Sequence, residues 1–245
     1  MNISQNGIFS LGGELFVNES GIVSGEGTLE LLNDFTDIVC TGTVTARIKA
    51  PTPLQTNGVT TIGGIVIANR EFSLPKNYGS GLDSDAYSAF LEMKSASGYD
   101  MTIISGFRSY EKQQATFEYW ASIDGYEKAD TYSAQAGHSD HQTGLALDIS
   151  SLKQNYGETY EGRWLDRHCW EYGFVLRYPK GCEEITGYIY EPWHIRYVGK
   201  STAKLIYDSG LALEQFLGIP ANYKIDEQYQ EDITNIEEYE IVCMD

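Results

Sequence analysis

Two histidines and an aspartate stand in settings that could hold a metal ion. His141 lies in SDHQTGLALD, Asp148 ends the apolar run TGLALD, and His194 lies among aromatic residues in YIYEPWHIRYVG. A carboxylate buried at the end of an apolar strand is costly unless a cation or hydrogen bonds compensate it. Two imidazoles and one carboxylate form a three-ligand zinc set with one open position. Taken singly, each residue is more often structural, so the combination carries the prediction.

A glutamate and an arginine could supply the remaining chemistry. Glu191 precedes His194 by three residues, and Pro192 between them excludes an ordinary helix. A bend at Pro192 could let Glu191 and His194 face one cavity, where the carboxylate would act as a general base on water. The alternative is a surface glutamate paired with Arg196. Arg108, at the end of a predicted strand, could hold an oxyanion or a substrate carboxylate, although surface arginines are common.

The elements that position these residues are interspersed helices and strands. Apolar spacing predicts helices over 82–98, 110–125, 162–173, 201–210 and 211–218. Strands are predicted over 101–109, 143–150 and 174–179, and a strand, a sharp break and a second strand over 185–199. Because short connections link the later strands, the sequence predicts an α+β fold with a mostly antiparallel central sheet flanked by helices.

The charge of the chain limits its partners. The formal net charge is −18 at pH 7, which argues against nucleic acid and disfavours docking on an anionic membrane. No apolar run reaches the length of about 18 residues that a transmembrane helix needs. The N-terminal sequence MNISQNGIFSLGG lacks the basic start and apolar core of a signal peptide. We therefore expect either a cytoplasmic protein or one whose export signal is not in this sequence.

The cysteines do not form a metal-binding pattern. None of Cys40, Cys169, Cys182 and Cys243 belongs to a CxxC pair, so we expect no cysteine zinc site. Cys169 and Cys182 could form a disulfide in an oxidising compartment; the alternative is four free, mostly buried thiols. His168, in the middle of a predicted helix, is interpreted as structural.

Three segments carry a resemblance to a known family. SGFRSYEKQ, AGHSDHQTGLALD and ITGYIYEPWHIRYVG occur in this order, and together they resemble the VanY-type D-alanyl-D-alanine carboxypeptidases of the LAS superfamily of zinc peptidases. The Glu-Pro-Trp-His segment matches in full. The resemblance covers roughly residues 63–218. One departure is His138, where relatives often carry an aromatic or small residue, and it leaves the shape of the substrate pocket open. The family pattern around the first ligand is matched by Ser139, His141, Gly144, Ala146 and Asp148.

The resemblance implies roles for individual residues. It implies that zinc is bound by His141, Asp148 and His194. Glu191 would be the catalytic base, and Arg108 would stabilise the oxyanion. Gln113 and Ser139 match family positions that contact the terminal residue of the substrate. The implied fold is LAS/hedgehog-like. The implied activity is removal of the C-terminal D-alanine from peptidoglycan stem peptides or precursors, at the bacterial cell envelope.

The resemblance also divides the chain. Residues 61–220 are predicted to form the catalytic domain. Residues 1–60 are rich in short β-prone pieces separated by Gly and Asn, show no evident internal repeat and carry no motif. We expect them to be a β-rich appendage with an accessory role in docking, assembly or wall attachment. Residues 221–245 form an acidic tail that could be a late strand pair or flexible.

Three alternatives share the motifs or the fold. An L,D-carboxypeptidase would cut a D-residue from an L-centre, and an endopeptidase with an open cleft would cut inside the peptide. A non-catalytic peptidoglycan-binding module would be favoured if Glu191 or a ligand were missing, and none is missing.

Overall fold

A computed structural model describes most of the chain. The described residues mix helices and strands, in agreement with the predicted class. None of the helices within them is long and apolar enough to cross a membrane. Residues 224–245 lie outside them, so the alternatives for the tail are left as predictions. The described residues are 2–3, 8–11, 15–17, 22–25, 27–31, 35, 38–40, 42–221 and 223.

The N-terminal strands stack in parallel as successive turns of a coil, which we call the solenoid module (residues 2–49). Ile8 pairs with Thr28 and Thr28 with Arg47, so the chain returns to the same face about every 20 residues, a period typical of solenoids. The expectation of no internal repeat was therefore wrong: the repeat lies in the strand register. The strands are β1 (Asn2–Ile3), β2 (Ile8–Leu11), β3 (Leu15–Val17), β4 (Ile22–Gly25), β5 (Thr28–Leu31), β6 (Ile38–Cys40), β7 (Thr43–Val44) and β8 (Arg47–Lys49).

A three-stranded antiparallel meander follows the solenoid module. It consists of β9 (Leu54–Thr56), β10 (Val59–Ile62) and β11 (Ile65–Ile67). Asn57 and Gly58 form the first turn with φ of 52° and 79°. Two-residue hairpins favour such positive φ values because their twist matches that of the strands. β10 crosses residue 60, where the sequence placed the domain boundary.

Local signals set the helices that flank the central sheet. Asp83 caps α1 by accepting hydrogen bonds from two backbone N–H groups, and Gly98 ends it with φ of 73°. The Ser109 side chain caps α2 by accepting the backbone N–H of Lys112. The helices are α1 (Ser84–Ser97), α2 (Tyr110–Asp124), α3 (Tyr126–Ala129), α4 (Tyr160–His168), α5 (Glu183–Thr186), α6 (Lys200–Ser209) and α7 (Leu213–Phe216), with 3-10 turns at Asp140–Thr143, Gln154–Glu158 and Cys169–Tyr172.

The central sheet is antiparallel and has the order β12–β13–β15–β14. Its strands are β12 (Ile103–Ser105), β13 (Ala146–Ile149), β14 (Phe174–Tyr178) and β15 (Glu191–Tyr197). The prediction of two strands separated by a sharp break over 185–199 was wrong. The first part contains α5 and irregular chain, and β15 runs through Pro192 without a break. Pro192 is not among the paired residues, so its missing N–H interrupts no ladder bond.

Two hydrophobic cores support the sheet. One lies between the sheet, α1 and α4 and includes Met93, Leu147 and Leu165. The other is shared by the solenoid module, the β9–β11 meander, α6 and α7. In it the rings of Phe35 and Phe216 lie with their centroids 5.0 Å apart. The solenoid module therefore packs directly on the domain that carries the motifs.

The described cysteines, Cys40, Cys169 and Cys182, are free thiols, so the Cys169–Cys182 disulfide does not form in this structure. Cys243 lies outside the described residues.

Candidate active site

Two neighbouring strands and one turn bring the histidines and the aspartate together. Asp148 on β13 pairs with His194 on β15, so their side chains leave the same face of the sheet. His141 comes from a 3-10 turn just before β13; we call residues 139–144 the ligand turn. Gly144 ends this turn with φ of 75°, and a Cβ there would lie 2.4 Å from the carbonyl oxygen of Gly81. Only glycine fits at that position.

The three side chains offer donor atoms that all lie within 4.8 Å of one another, and all three residues are buried. His141 Nδ1 is 2.7 Å from the carbonyl oxygen of Gly106, so its proton is assigned there and Nε2 is left free to bind a cation. His141 Nε2 lies 3.1 Å from Asp148 Oδ2. Asp148 Oδ1 and His194 Nε2 are buried without a hydrogen-bond partner among the described residues. Two nitrogens and a carboxylate held this closely fit a divalent cation such as zinc.

The protonation of the set suits metal binding. Burial alone would raise the pKa of Asp148, but His141, His194 and Arg108 outweigh it and lower the pKa to about 2. Burial lowers the pKa of His194 to about 3. At neutral pH the carboxylate is therefore ionised and the His194 imidazole is neutral, and these are the forms that bind a metal ion.

Glu191 lies beside this set. Its Oε2 is 3.2 Å from His194 Nδ1, and the residue is 7% exposed. Arg196 instead forms an ion pair with Asp140, so the alternative of a surface Glu191 paired with Arg196 was wrong. Burial and the nearby negative charge of Asp148 raise the pKa of Glu191 well above its usual value. A carboxyl group with a raised pKa in a buried site is typical of proton-transfer residues.

Arg108 is held at the edge of the same cluster. Its Nη1 donates to Gln113 Oε1 at 2.8 Å, and its Nη2 donates to Ser105 Oγ at 3.0 Å. Nη2 also lies 3.8 Å from Asp148 Oδ2. The backbone N–H of Arg108 donates to the carbonyl of His141, which ties the arginine loop to the ligand turn. The guanidinium is thus held beside the donor set.

Gln113 and Ser139 support the site from within. Gln113 is fully buried, and its Nε2 donates to the carbonyl of Ala134 at 2.5 Å while its Oε1 accepts from Arg108. Ser139 Oγ accepts the N–H of His141 at 3.3 Å. Gln113 therefore orients Arg108, whereas the hydroxyl proton of Ser139 can still be donated.

Tyr178 is a site residue that the sequence analysis missed. Its ring meets the His194 ring edge-on at 4.9 Å, and it pairs with Glu191 across β14 and β15. Burial raises the pKa of Tyr178 well above its usual value, so the hydroxyl remains a donor. FVLRYP indicated only a strand. A shift in the strand register between Leu176 and Tyr178 accompanies its approach to the site.

Two histidines lie outside the donor set. His138 Nδ1 is 2.6 Å from the carbonyl oxygen of Asn69, so this family departure is tied to the chain after β11. His168 stacks on Trp164 and lies 2.7 Å from Glu171 Oε1.

The fold and the donor set define a class: proteins with a buried two-histidine, one-aspartate metal site beside a buried carboxylate, as in metal-dependent hydrolases. The family model for VanY, D-alanyl-D-alanine carboxypeptidase, matches residues 80–200. Solved relatives more than 30% identical are matched along almost their whole length. The chain belongs to the VanY family.

Individual relatives show how far the likeness extends. YodJ of Bacillus subtilis is 42% identical over 162 residues, which are 62% of this chain and 59% of that protein. The crystal structure of DacB from Streptococcus pneumoniae is 39% identical with a TM-score of 0.64, and the match covers 71% of this chain and 99% of DacB. A variant of the VanB-type D,D-pentapeptidase VanY, solved with Zn(II), is 34% identical with a TM-score of 0.54, covering 62% of this chain and 97% of VanY. The chain spans 42–66% of the length of the curated relatives it matches.

Proposed function

We propose that this chain is a zinc-dependent carboxypeptidase that removes the C-terminal D-alanine from peptidoglycan stem peptides or precursors. The buried carboxylate of Glu191, 3.2 Å from His194 Nδ1 and beside the donor set, carries the proposal. Matched relatives from Enterococcus faecium and Enterococcus faecalis are named D-alanyl-D-alanine carboxypeptidase, and VanYB has been solved with D-alanine-D-alanine. The fold is proposed to be of the LAS/hedgehog-like type.

The side chains of the site divide the reaction between them. When bound by His141, Asp148 and His194, zinc supplies a Lewis acid that activates water and polarises the scissile carbonyl. Glu191 takes the proton of the attacking water and returns it to the leaving amine. Arg108 donates hydrogen bonds to the carbonyl oxygen as negative charge develops on it.

The charge balance of the site explains how Glu191 can act as a base. Burial and Asp148 raise its pKa, which alone would keep it protonated. A divalent cation in the donor set lowers the pKa of a carboxyl group beside it. Zinc held by His141, Asp148 and His194 would therefore favour the ionised form of Glu191, which is the form that accepts a proton.

The terminal carboxylate of the substrate needs its own recognition. The Ser139 hydroxyl keeps a proton to donate, Tyr178 offers a phenolic O–H, and Arg108 supplies positive charge. Gln113 supports this group by holding Arg108, because its Oε1 accepts from Arg108 while its Nε2 donates to the carbonyl of Ala134.

An L,D-carboxypeptidase is the second candidate. Streptococcal DacB, described as an L,D-carboxypeptidase, matches with TM-scores of 0.64, above the 0.54 of the VanY structures. The same donor set, base and arginine would serve that reaction, and the configuration of the penultimate residue would differ.

Defined peptides distinguish these activities. The zinc-loaded protein is incubated with a stem pentapeptide ending in D-Ala-D-Ala and with the tetrapeptide that ends in one D-Ala, and the products are identified by mass. Loss of one D-alanine from the pentapeptide alone supports the proposal. Loss from the tetrapeptide supports the second candidate, and internal cleavage supports an endopeptidase. No cleavage of either peptide by zinc-loaded, folded protein would overturn all three.

The place of action follows from the substrate. Stem peptides are part of the cell envelope, so we propose that the protein acts there, and a cytoplasmic precursor is the alternative substrate. The strongly negative net charge of the chain disfavours nucleic acid as a partner.

A further inference from the structure

Four charged side chains form a buried cluster that the proposed reaction does not use. Each of the four residues is 1% exposed, and the two carboxylates balance the two guanidinium groups. Charges this deep in a protein persist only when each is paired, because removal of one partner leaves an uncompensated charge. We call Asp140, Arg177, Arg196 and Glu214 the buried charge cluster.

Hydrogen bonds connect the cluster as a chain. Arg177 binds Glu214 with both terminal nitrogens, at 2.8 and 2.5 Å, and its Nε donates to Asp140 Oδ2 at 2.7 Å. Arg196 Nη1 donates to the other oxygen of Asp140 at 2.5 Å. Both oxygens of Asp140 are thus occupied, and two-pronged contacts of this kind fix side-chain orientation.

The cluster is built into the elements that carry the site. Asp140 directly precedes His141 in the ligand turn. Arg196 is two residues after His194, so the two side chains leave the same face of β15. Arg177 directly precedes Tyr178 on β14. A change at Arg177 or Asp140 would therefore displace His141, the first proposed ligand, or the ring of Tyr178, which contacts His194.

Glu214 connects the buried charge cluster to the core that the solenoid module shares with the meander, α6 and α7. It lies on α7, two residues before Phe216, whose ring lies 5.0 Å from that of Phe35 in the solenoid module. Phe35 is fully buried, and its N–H donates to the carbonyl of Gly63. A Cβ on Gly63 would lie 2.4 Å from the Phe35 ring, so this contact is close-fitting.

This connection lies outside the residues that the family model matches. The solved relatives that are matched over 94–100% of their own length account for 62–72% of this chain. The family model begins at residue 80, beyond the solenoid module. Phe35 therefore belongs to a part of the chain that lies outside the family match.

We propose that Glu214 is a positioning residue for the ligand turn, and that the solenoid module keeps it in place through the contact of Phe35 with Phe216. The inference rests on the proposed function, because it takes His141, Asp148 and His194 as the metal site. Glu214 holds Arg177, Arg177 holds Asp140, and Asp140 sets the backbone from which His141 reaches the metal ion. Side chains that hydrogen-bond a metal ligand directly typically contribute about 10- to 100-fold to metal affinity, and Glu214, which acts through Arg177 and Asp140, is expected to contribute at the lower end of that range.

The test measures zinc affinity in the full chain by competition with a chelator. Glu214→Gln keeps the size of the side chain and removes its charge, and Phe35→Ala removes the ring that contacts α7. We expect each to weaken zinc binding by about tenfold or more. The double variant should bind zinc only slightly more weakly than the weaker of the two single variants, because both changes disrupt the same series of contacts.

Matched controls separate positioning from general loss of stability. Glu92→Gln removes one exposed charge. Met93→Ala opens a cavity in the core between the sheet, α1 and α4, on a helix that carries no site residue. Both should bind zinc as the parent does. Phe35→Leu, a milder change, gives the same readout if Phe35→Ala or Glu214→Gln does not fold. All affinities are measured well below the unfolding temperature of each variant.

The outcomes keep the two proposals apart. If the parent binds zinc and cleaves peptide but the folded Glu214 and Phe35 variants bind zinc as the parent does, the positioning role is overturned and the proposed function stands. The same holds if Met93→Ala weakens zinc binding as much as Glu214→Gln. A parent that takes up no zinc overturns the proposed function itself.

Discussion

The ligand-bearing region and the solenoid module encode their structures in different ways. In the first, single residue types at fixed spacings matter: two histidines, an aspartate and a glutamate meet in one cluster. In the second, the strands stack in parallel with a register that returns about every 20 residues. Chemistry can therefore be predicted from residue types, whereas a solenoid is recognised from the pairing of its strands.

In the ligand-bearing region, loss of the proposed general base, Glu191, should have the largest effect on activity. Glu191→Gln should keep the fold and the zinc but lower kcat by roughly 10²- to 10⁴-fold, because an amide cannot transfer the proton. Steady-state kinetics and zinc content of the purified variant check this. Glu92→Gln, an exposed carboxylate change, is the control. A Glu191→Gln variant that turns over at the parent rate would make Glu191 merely structural.

Removal of the arginine should have the next largest effect. Arg108→Ala is expected to reduce kcat/KM by roughly 10²- to 10³-fold, since a fixed donor to the developing oxyanion is lost. Gln113→Ala should show a smaller loss of the same kind, because Gln113 only orients Arg108. Kinetics of both variants with one peptide make the comparison. A larger loss in Gln113→Ala than in Arg108→Ala would reverse the assignment of the two roles.

Recognition of the substrate end should contribute less. A hydrogen bond to a charged group is worth about 1.5–3 kcal/mol, so amidation of the peptide C-terminus should lower kcat/KM by roughly tenfold to a hundredfold. Amidation should lower kcat/KM by a smaller factor in Ser139→Ala and in Tyr178→Phe, because each variant has already lost one hydrogen-bond donor. The measurement compares free-acid and amidated peptide with parent and variants. Equal rates of the parent on both peptides would favour an endopeptidase.

The solenoid module should reveal itself mainly through stability. Phe35→Ala removes a fully buried ring and should cost about 3–5 kcal/mol in the free energy of unfolding, as large core truncations do. Leu54→Ala, an exposed position in the meander, is the control and should change stability little. Denaturant unfolding of both variants measures the effect. A Phe35→Ala protein as stable as the parent would mean that the module is a separate appendage.

How much the sequence predicts depends on whether a signal is local. The helix predicted over 82–98 ends at a glycine, which is a local signal, and the structure ends α1 at Gly98. The strand through Pro192 was mispredicted because the pairing of β15 with β13 and β14, and not local propensity, decides where a proline is tolerated.

Partners that are distant in the sequence explain the residues that were missed at the site. Tyr178 on β14 contacts His194 on the neighbouring strand β15. Glu214, 37 positions further along the chain than Arg177, contacts Arg177 from α7. A burial pattern alone does not identify such contacts, because a polar residue in an apolar run has many possible partners. The three proposed metal ligands, by contrast, are brought together as the sequence predicted.

Zinc content tests the central claim most directly. We expect about one zinc ion per chain, bound by His141, Asp148 and His194 as an open three-ligand site. Elemental analysis of the purified parent and of His194→Ala, each supplied with zinc and then desalted, makes the measurement. The parent should retain about one equivalent, and the folded variant should retain far less. A folded parent that retains no zinc, or a His194→Ala variant that retains as much as the parent, would contradict the account.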